Sequence, residues 1–381
     1  MFSNPTLYRY SKTALHVIRK IENAISRCEK PFRSYRQAYF WEKKDLDRAA
    51  SVKLPVLSDA TRKKIVSFWG NYISNTVSDT YYRTIAFVQG GEPRDLHLYV
   101  SPYIMFTHLI DVLNSPGDRK TFSEKLMFPL LFPGVRQPRN IIGFFHGSFV
   151  SESYQPISQK QATDILLNYG KPIIVKPSKG SMGGKGVELY KTYDEHLLED
   201  IFASRKNNFI VQEVIEQSAE MAKLNKSSLN TLRILTLMLN GKCTVTAKML
   251  RHGCPGANID NISSGGYGVG IADDGSLTFA ASDTLFLRND THYSGEKYAS
   301  FKIPNIECVY DTAIRLHYHT PQCRFIAWDF ALDTNNTPVL IEGNFNNPGV
   351  SLPQIVGEKP IFGDRTMEVL DFCFKTGKKS K

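Results

Sequence analysis

Apolar positions early in the chain recur at helical spacing. Leu15, Ile18, Ile21 and Ile25 share one face, with Arg19, Lys20, Glu22 and Arg27 between them, the period of an amphipathic helix. The run SYRQAYFWEKKDLDRAA mixes aromatic and basic residues. It reads as an amphipathic helix packed on its own domain, although the same pattern suits a membrane surface or nucleic acid. Ser58–Asp59 is a cap signal opening a further helix, SDATRKKIVSFWGNYI. From Thr84 to Val100 the pattern shortens around Gly90, Gly91 and Pro93, which predicts paired strands.

Farther along, short apolar runs predict strands at Asn140–Phe145, Pro172–Lys176, Val187–Tyr190 and Phe209–Ile215, with a helix from Ser158 to Tyr169 that ends at Gly170. SLNTLRILTLMLNGKCTVTAKMLRHG is a hairpin about Asn240–Gly241, the favoured two-residue turn. With Leu239 opposite Lys242, an uninterrupted register sets Leu237 opposite Thr244 and Arg233 opposite Lys248. A second small hairpin turns at Asp274–Gly275. The last, FIAWDFALDTNNTPVLIEGNFNNPG, joins strands Phe325–Leu332 and Pro338–Asn344 through a polar turn. Leu332 then faces Val339, and Asp329 faces Glu342.

Composition narrows the picture. At 381 residues, with 42% hydrophobic and 22% charged side chains, the chain is long enough for two or three domains with a sizeable core. The net charge of +10 suits a polyanion: nucleotide phosphates, nucleic acid or an anionic membrane surface. Part of it lies in the basic tail ending at Lys381. The six cysteines are scattered without a CxxC pair, and the start carries no secretory pattern, so a cytoplasmic protein with reduced thiols is expected. No membrane-spanning segment is expected.

Opposed carboxylates repel across a sheet. Asp329 and Glu342, with the amide oxygen of Asn344, form either an oxygen-only site suited to Mg²⁺ or a solvated hairpin face. Opposed Arg233 and Lys248, with Arg251 beyond, ask for an anion in the same way, or form a solvated basic face. PIIVKPSKGSMGGKGVELYK places Lys176, Lys179 and Lys185 around a glycine-rich loop. Such a loop can cradle phosphate, or be a hairpin tip. It is not a Walker A loop, because Gly186 and a strand follow Lys185, and no GxGxxG pattern fits. Strand Phe209–Ile215 runs into an acidic stretch that serves either as a hinge or as an ordinary surface helix. Asn258, Asp260, Asn261, Gly265 and Gly266 make a loop suited to a charged ligand. His317 and His319 lie two apart on a helix and diverge, which argues against metal binding. Cys254 reads as structural. Trp328 and Phe345 either line a pocket or pack the sheet.

The order of these pieces resembles the ATP-grasp fold. The phrases SLNTLRILTL, RHG…NIDNISSGG and WDFAL…PVLIEGNFNNPG resemble the sugar-transfer-associated ATP-grasp proteins of polysaccharide biosynthesis. The likeness runs from about Thr121 to Pro353; the basic helical start departs from the usual pattern. It implies an α+β fold: a helical region at 1–120, a central lobe at 121–215 with a glycine-rich lid, and a C-terminal lobe at 216–381 with a metal site. Lys125 and Lys176 match the lysines on the α- and β-phosphates. Lys179, Ser181, Gly183 and Gly184 belong to the lid. Gln212, Glu213, Val214 and Ile215 match the hinge whose backbone meets adenine, with Glu216 or Glu220 on the ribose. Asp329, Glu342 and Asn344 match the ligands of Mg²⁺, two ions for which Mn²⁺ substitutes. Arg233, Lys248 and Arg251 fall where cations meet the γ-phosphate, and Asn261 with Gly265–Gly266 near the acyl phosphate.

The activity implied is a carboxylate–amine ligase that forms an amide through an acyl phosphate. Its substrates would be a small carboxylate and an amine, one of them a sugar or sugar nucleotide. Two alternatives stay open: a kinase of the same fold that stops after phosphoryl transfer, and a basic protein binding a membrane surface or, less readily, nucleic acid.

Overall fold

The computed structural model describes residues 40, 43, 47, 52–74, 77–180, 186–205, 208–256, 265–282 and 287–375. The helix expected about Leu15–Ile25 and the bulk of the aromatic-basic stretch lie outside the described residues.

Two six-stranded antiparallel sheets dominate. The first contains β1 (Asn140–Phe145), β2 (Ser148–Ser151), β3 (Pro156–Ile157), β4 (Ile173–Pro177), β5 (Glu188–Tyr190) and β6 (Phe209–Glu213), in the order β3-β2-β1-β6-β4-β5. The second contains β7 (Thr231–Leu239), β8 (Lys242–His252), β9 (Tyr267–Ile271), β10 (Leu277–Ser282), β11 (Phe325–Leu332) and β12 (Pro338–Asn344), in the order β10-β9-β8-β7-β11-β12. The two long hairpins form where their turn residues predict. Asn240 and Gly241 have φ of 52° and 74°, the double positive φ that a tight hairpin turn needs.

Helices Gln159–Tyr169 and Glu195–Ser204 pack on the first sheet through Ala162, Leu166, Leu198 and Ile201. The former begins with a reciprocal capping box between Ser158 and Gln161 and stops at Gly170, with φ 60°. The second sheet is covered on both faces. Helix Ile306–Tyr318 and the segment carrying Phe122, Phe128 and Phe132 bury one face. Helices Asp59–Gly70, Thr80–Gln89, Ser351–Gly357 and Thr366–Lys375 bury the other. Apolar side chains from Leu57 to Leu113 therefore share a core with Leu235, Leu237 and Phe325. Gln354, fully buried, joins the two parts. It donates to the Tyr81 hydroxyl and the Val100 carbonyl, and accepts from Val100 and Ile361 amides.

The strands expected between Thr84 and Val100 do not form. Thr80–Gln89 is a helix that buries Tyr81, Tyr82, Ile85, Ala86 and Val88 and ends at Gly90 in the left-handed region. Aromatic and β-branched residues favour strands only through the surface they pack on. Here the three- and four-residue spacing of Tyr81, Tyr82, Ile85 and Val88 decides. The run Leu96–Leu113 is long and apolar enough to cross a membrane by length and composition alone. Its residues Leu96, Tyr99, Ile104, Leu109 and Leu113 are buried beneath the second sheet, and its backbone is extended at Tyr99 and Ser101.

Candidate active site

One row of side chains crosses the second sheet. Asp329, on β11, pairs with Arg233 of β7 on one side and with Glu342 of β12 on the other. The Asp329–Glu342 pairing is the one the sequence predicts, but the register beyond it differs: Leu332 faces Pro338, not Val339. A bulge between Asp329 and Phe330 absorbs the extra residue.

Asp329 is 4% exposed. Arg233 grips it with two parallel hydrogen bonds, Nε to Oδ1 at 2.8 Å and Nη2 to Oδ2 at 2.8 Å. Arg251 Nη1 lies 3.2 Å from Oδ2, and Asn344 Nδ2 donates to the same oxygen at 3.1 Å. Burial by itself raises this carboxyl; the two guanidinium groups and the hydrogen bonds outweigh it and hold the pKa below the usual range. Part of the repulsion between the opposed carboxylates is thus met here by protein cations.

Glu342 is held separately. Its Oε1 lies 2.9 Å from Lys125 Nζ, with Lys125 7% exposed and Glu342 30%. Lys125 opens a short turn whose amide donates to the Ser178 carbonyl at 3.0 Å. That bond ties it to the end of β4, where Lys176 is buried. Burial, and then the charge of Lys125, push Lys176 down to about 8, with Glu342 opposing. Lys176 thus lies within electrostatic reach of Lys125 and Glu342. Lys179 is exposed, with Nζ 3.5 Å from the buried Glu124 carboxylate.

Lys248 leaves the constellation. A register shift between Leu235 and Thr236 sets Arg233 opposite Met249 and Ile234 opposite Lys248. One extra residue in β8 turns every later side chain to the other face. Lys248 instead meets Asp273 at 2.7 Å, with its ammonium 4.9 Å from the centre of the Tyr310 ring. Arg251, three residues on, lies on the Arg233 face and reaches Asp329. Ser181, Gly183, Gly184 and Asn261 lie outside the described residues. Gly265 is described, with φ 96°, and its carbonyl accepts from the Cys254 thiol at 2.7 Å.

The stretch after β6 crosses from one sheet to the other. β6 stops at Glu213, whose amide donates to the Arg139 carbonyl at 3.1 Å. Gln212 turns its amide to Asn140 at 2.7 Å, so its side chain is committed to the sheet. Val214 is half-buried, Ile215 is buried, and Glu216 and Glu220 are exposed. Two residues missed from the sequence anchor this crossing. Gln217 accepts from the Asn230 amide and bridges to Asp333. Arg136 spans Glu213 at 3.7 Å and Asp333 at 3.3 Å. Neither sits in a pattern that marks it: their partners are distant in sequence.

Trp328 and Phe345 pack the sheet. Both are buried, and Trp328 Nε1 donates to Thr236 Oγ1 at 2.9 Å. His317 is a core histidine, with Nδ1 at 2.6 Å from Thr236 Oγ1 and Nε2 at 2.8 Å from the Cys323 carbonyl. Burial pushes it down to about 4.

The donor set of Asp329, Glu342 and Asn344 fits a hard divalent cation. Two carboxylates oppose on neighbouring strands, and Asn344, having given its nitrogen to Asp329, offers oxygen. Four buried or half-buried cations (Lys125, Lys176, Arg233 and Arg251) outnumber these two carboxylates. The excess suits a polyphosphate.

No curated protein matches the sequence. Among solved structures, the ATP-grasp ligase PsnB with its minimal precursor is 12% identical, covering 68% of this chain and 64% of that one, at a TM-score of 0.39. An L-amino acid ligase from Bacillus licheniformis is 14% identical, with 70% and 48% covered, at 0.39. A D-alanine–D-alanine ligase from Bacillus anthracis is 13% identical, with 67% and 68% covered, at 0.38. This chain thus spans less than two thirds of the length of the first two. The family model described as sugar-transfer associated ATP-grasp matches residues 105–369. That match takes in more than half of the sequence, and the chain belongs to the sugar-transfer associated ATP-grasp family, with its α+β ATP-grasp fold.

Proposed function

We propose that the chain is an ATP- and Mg²⁺-dependent carboxylate–amine ligase. The observation that carries this reading is the row Arg233–Asp329–Glu342, with Arg251 and Lys125 on its two carboxylates. It brings oxygen donors for a metal and cations for phosphate within one side chain of each other.

In this reading Lys125 and Lys176 hold the α- and β-phosphates. Arg233 and Arg251 neutralise charge that develops on the γ-phosphoryl oxygens as a substrate carboxylate attacks phosphorus and ADP leaves. The same guanidinium groups stay on the acyl phosphate while an amine attacks its carbonyl carbon, releasing inorganic phosphate and leaving an amide. Asp329, Glu342 and Asn344 would hold Mg²⁺, which supplies charge neutralisation and Lewis acidity to the phosphoryl oxygens. In this reading the backbone of 212–215 faces adenine, and Glu216 or Glu220 the ribose. Family membership supports a sugar acid or amino sugar as one substrate, with an amino acid or other amine as its partner.

The test is ADP release with a panel of carboxylates and amines. Turnover is expected to fall at least about a hundredfold in Glu342→Gln and Lys176→Ala; turnover unchanged in both would sink the reading. Hydroxylamine separates the reactions: a ligase yields a hydroxamate, a kinase a stable phosphoproduct.

A further inference from the structure

Each carboxylate assigned above to the metal is already paired with a cation assigned to the nucleotide. Arg233 takes both oxygens of Asp329, and Lys125 takes Oε1 of Glu342. We propose that these two pairs are an exchange lock: metal and nucleotide can each enter only by releasing the other's partner, so the site loads them together. The inference rests on the ligase reading for which side chain serves which ligand, and adds a rule of loading to it.

The argument is electrostatic. A metal arriving alone must draw Asp329 and Glu342 away from Arg233 and Lys125. It strands two cations that are 15% and 7% exposed. A nucleotide arriving alone draws the cations away and strands Asp329, which is 5% exposed at its side chain, beside Glu342. Removing one partner of a buried pair is costly because the other charge remains uncompensated. When both ligands arrive, every group exchanges one partner for another of the same sign and no charge is left bare.

The lock makes an unusual demand of its cations: removing one should strengthen metal binding. The probe is Mn²⁺ alone, followed by the loss of its free-ion electron paramagnetic resonance signal, on the full chain without nucleotide. In Lys125→Met, Mn²⁺ affinity is expected to rise about tenfold over the wild type, while affinity for ATP in EDTA falls about tenfold. Glu342 is partly exposed, so this variant leaves no buried bare charge. Arg233→Met should move both affinities in the same directions, and Mn²⁺ should raise its melting temperature more than that of the wild type. Unchanged or weaker Mn²⁺ binding in Lys125→Met overturns the lock. If the wild type binds neither ATP nor Mn²⁺ even when both are present, the ligase reading itself fails and the lock with it. Joint binding by the wild type without a gain in the variant removes the lock alone.

Discussion

Asp329 and Arg233 are direct ladder partners on adjacent strands, 96 residues apart in sequence, and share two 2.8 Å hydrogen bonds inside the sheet. A buried pair of this geometry is hard to break from one side. Arg233→Met leaves Asp329 with Arg251 and Asn344 and should cost about 3 kcal/mol of stability. The double variant Arg233→Met, Asp329→Leu removes both charges of the pair but takes the carboxylate from Arg251, so it should cost less than the sum of the two single variants. Urea titration of the two single variants and the double reads the coupling. Simple additivity would mean that the pair is not coupled in solution.

Lys248 and Arg251 lie three residues apart on one strand and serve opposite faces. Arg251 reaches Asp329, whereas Lys248 meets Asp273 beside Tyr310. Lys248→Met should leave ATP affinity within about twofold, since its ion pair is half on the surface. Arg251→Met should weaken ATP binding about tenfold or more. Equal losses in the two variants would restore the unbulged register.

Burial brings the Lys176 ammonium within reach of mildly alkaline titration. Burial and Lys125 lower it from 10.5 to about 8. The unfolded chain therefore holds the proton more tightly between about pH 8 and 10.5. Stability contributed by this group rises with pH through that window, and the full cost of burying the charge is borne below it. Nucleotide binding runs the other way, because phosphate needs the ammonium. Affinity for ATP should fall as pH rises past about 8, with binding accompanied by proton uptake. Calorimetry at pH 8.5 in two buffers of different ionisation enthalpy reads that uptake directly. Lys176→Arg should abolish it, as a guanidinium stays charged.

Much of this site is local and therefore legible. The hairpin β11–β12 appears with the predicted bounds because turn chemistry and a period of two fix them; Asp329 faces Glu342 because a bulge offsets the one-residue difference in register at the turn. Lys125 and Lys176 become legible only as a set, through resemblance. What escapes is carried by bulges and by pairing between distant strands. The bulge in β8 has no signature in KCTVTAKMLRH, so the sequence alone sets Lys248 opposite Arg233. The pairing of β7 with β11 leaves no trace in either strand, so the protein's own neutralisation of Asp329 was invisible. In Thr84–Val100 the composition favours strands, whereas the core it packs against, formed by β7 and helix Ser351–Gly357, lies far down the chain.

Thr236 lies three residues beyond Arg233 on β7, on the opposite face, where it joins two buried groups. The Trp328 indole donates to its hydroxyl oxygen at 2.9 Å, and the hydroxyl lies 2.6 Å from His317 Nδ1. With Nε2 donating to the Cys323 carbonyl, Nδ1 is the acceptor and the ring is neutral, in keeping with a pKa pushed down to about 4 by burial. Thr236→Val keeps the shape and strands both an indole N–H and an imidazole nitrogen. Leaving buried polar groups unmade costs about 2–4 kcal/mol here, one to two for each group. Urea denaturation should show that loss, while ATP affinity, which depends on the other face, should change less than about twofold. The histidine adds an acid limit. The unfolded chain takes up a proton near 6.5 and the folded protein near 4, so stability falls as pH drops through that interval. His317→Gln should flatten that part of the profile. A profile unchanged by the substitution would mean that His317 takes up its proton equally in the folded and unfolded chain.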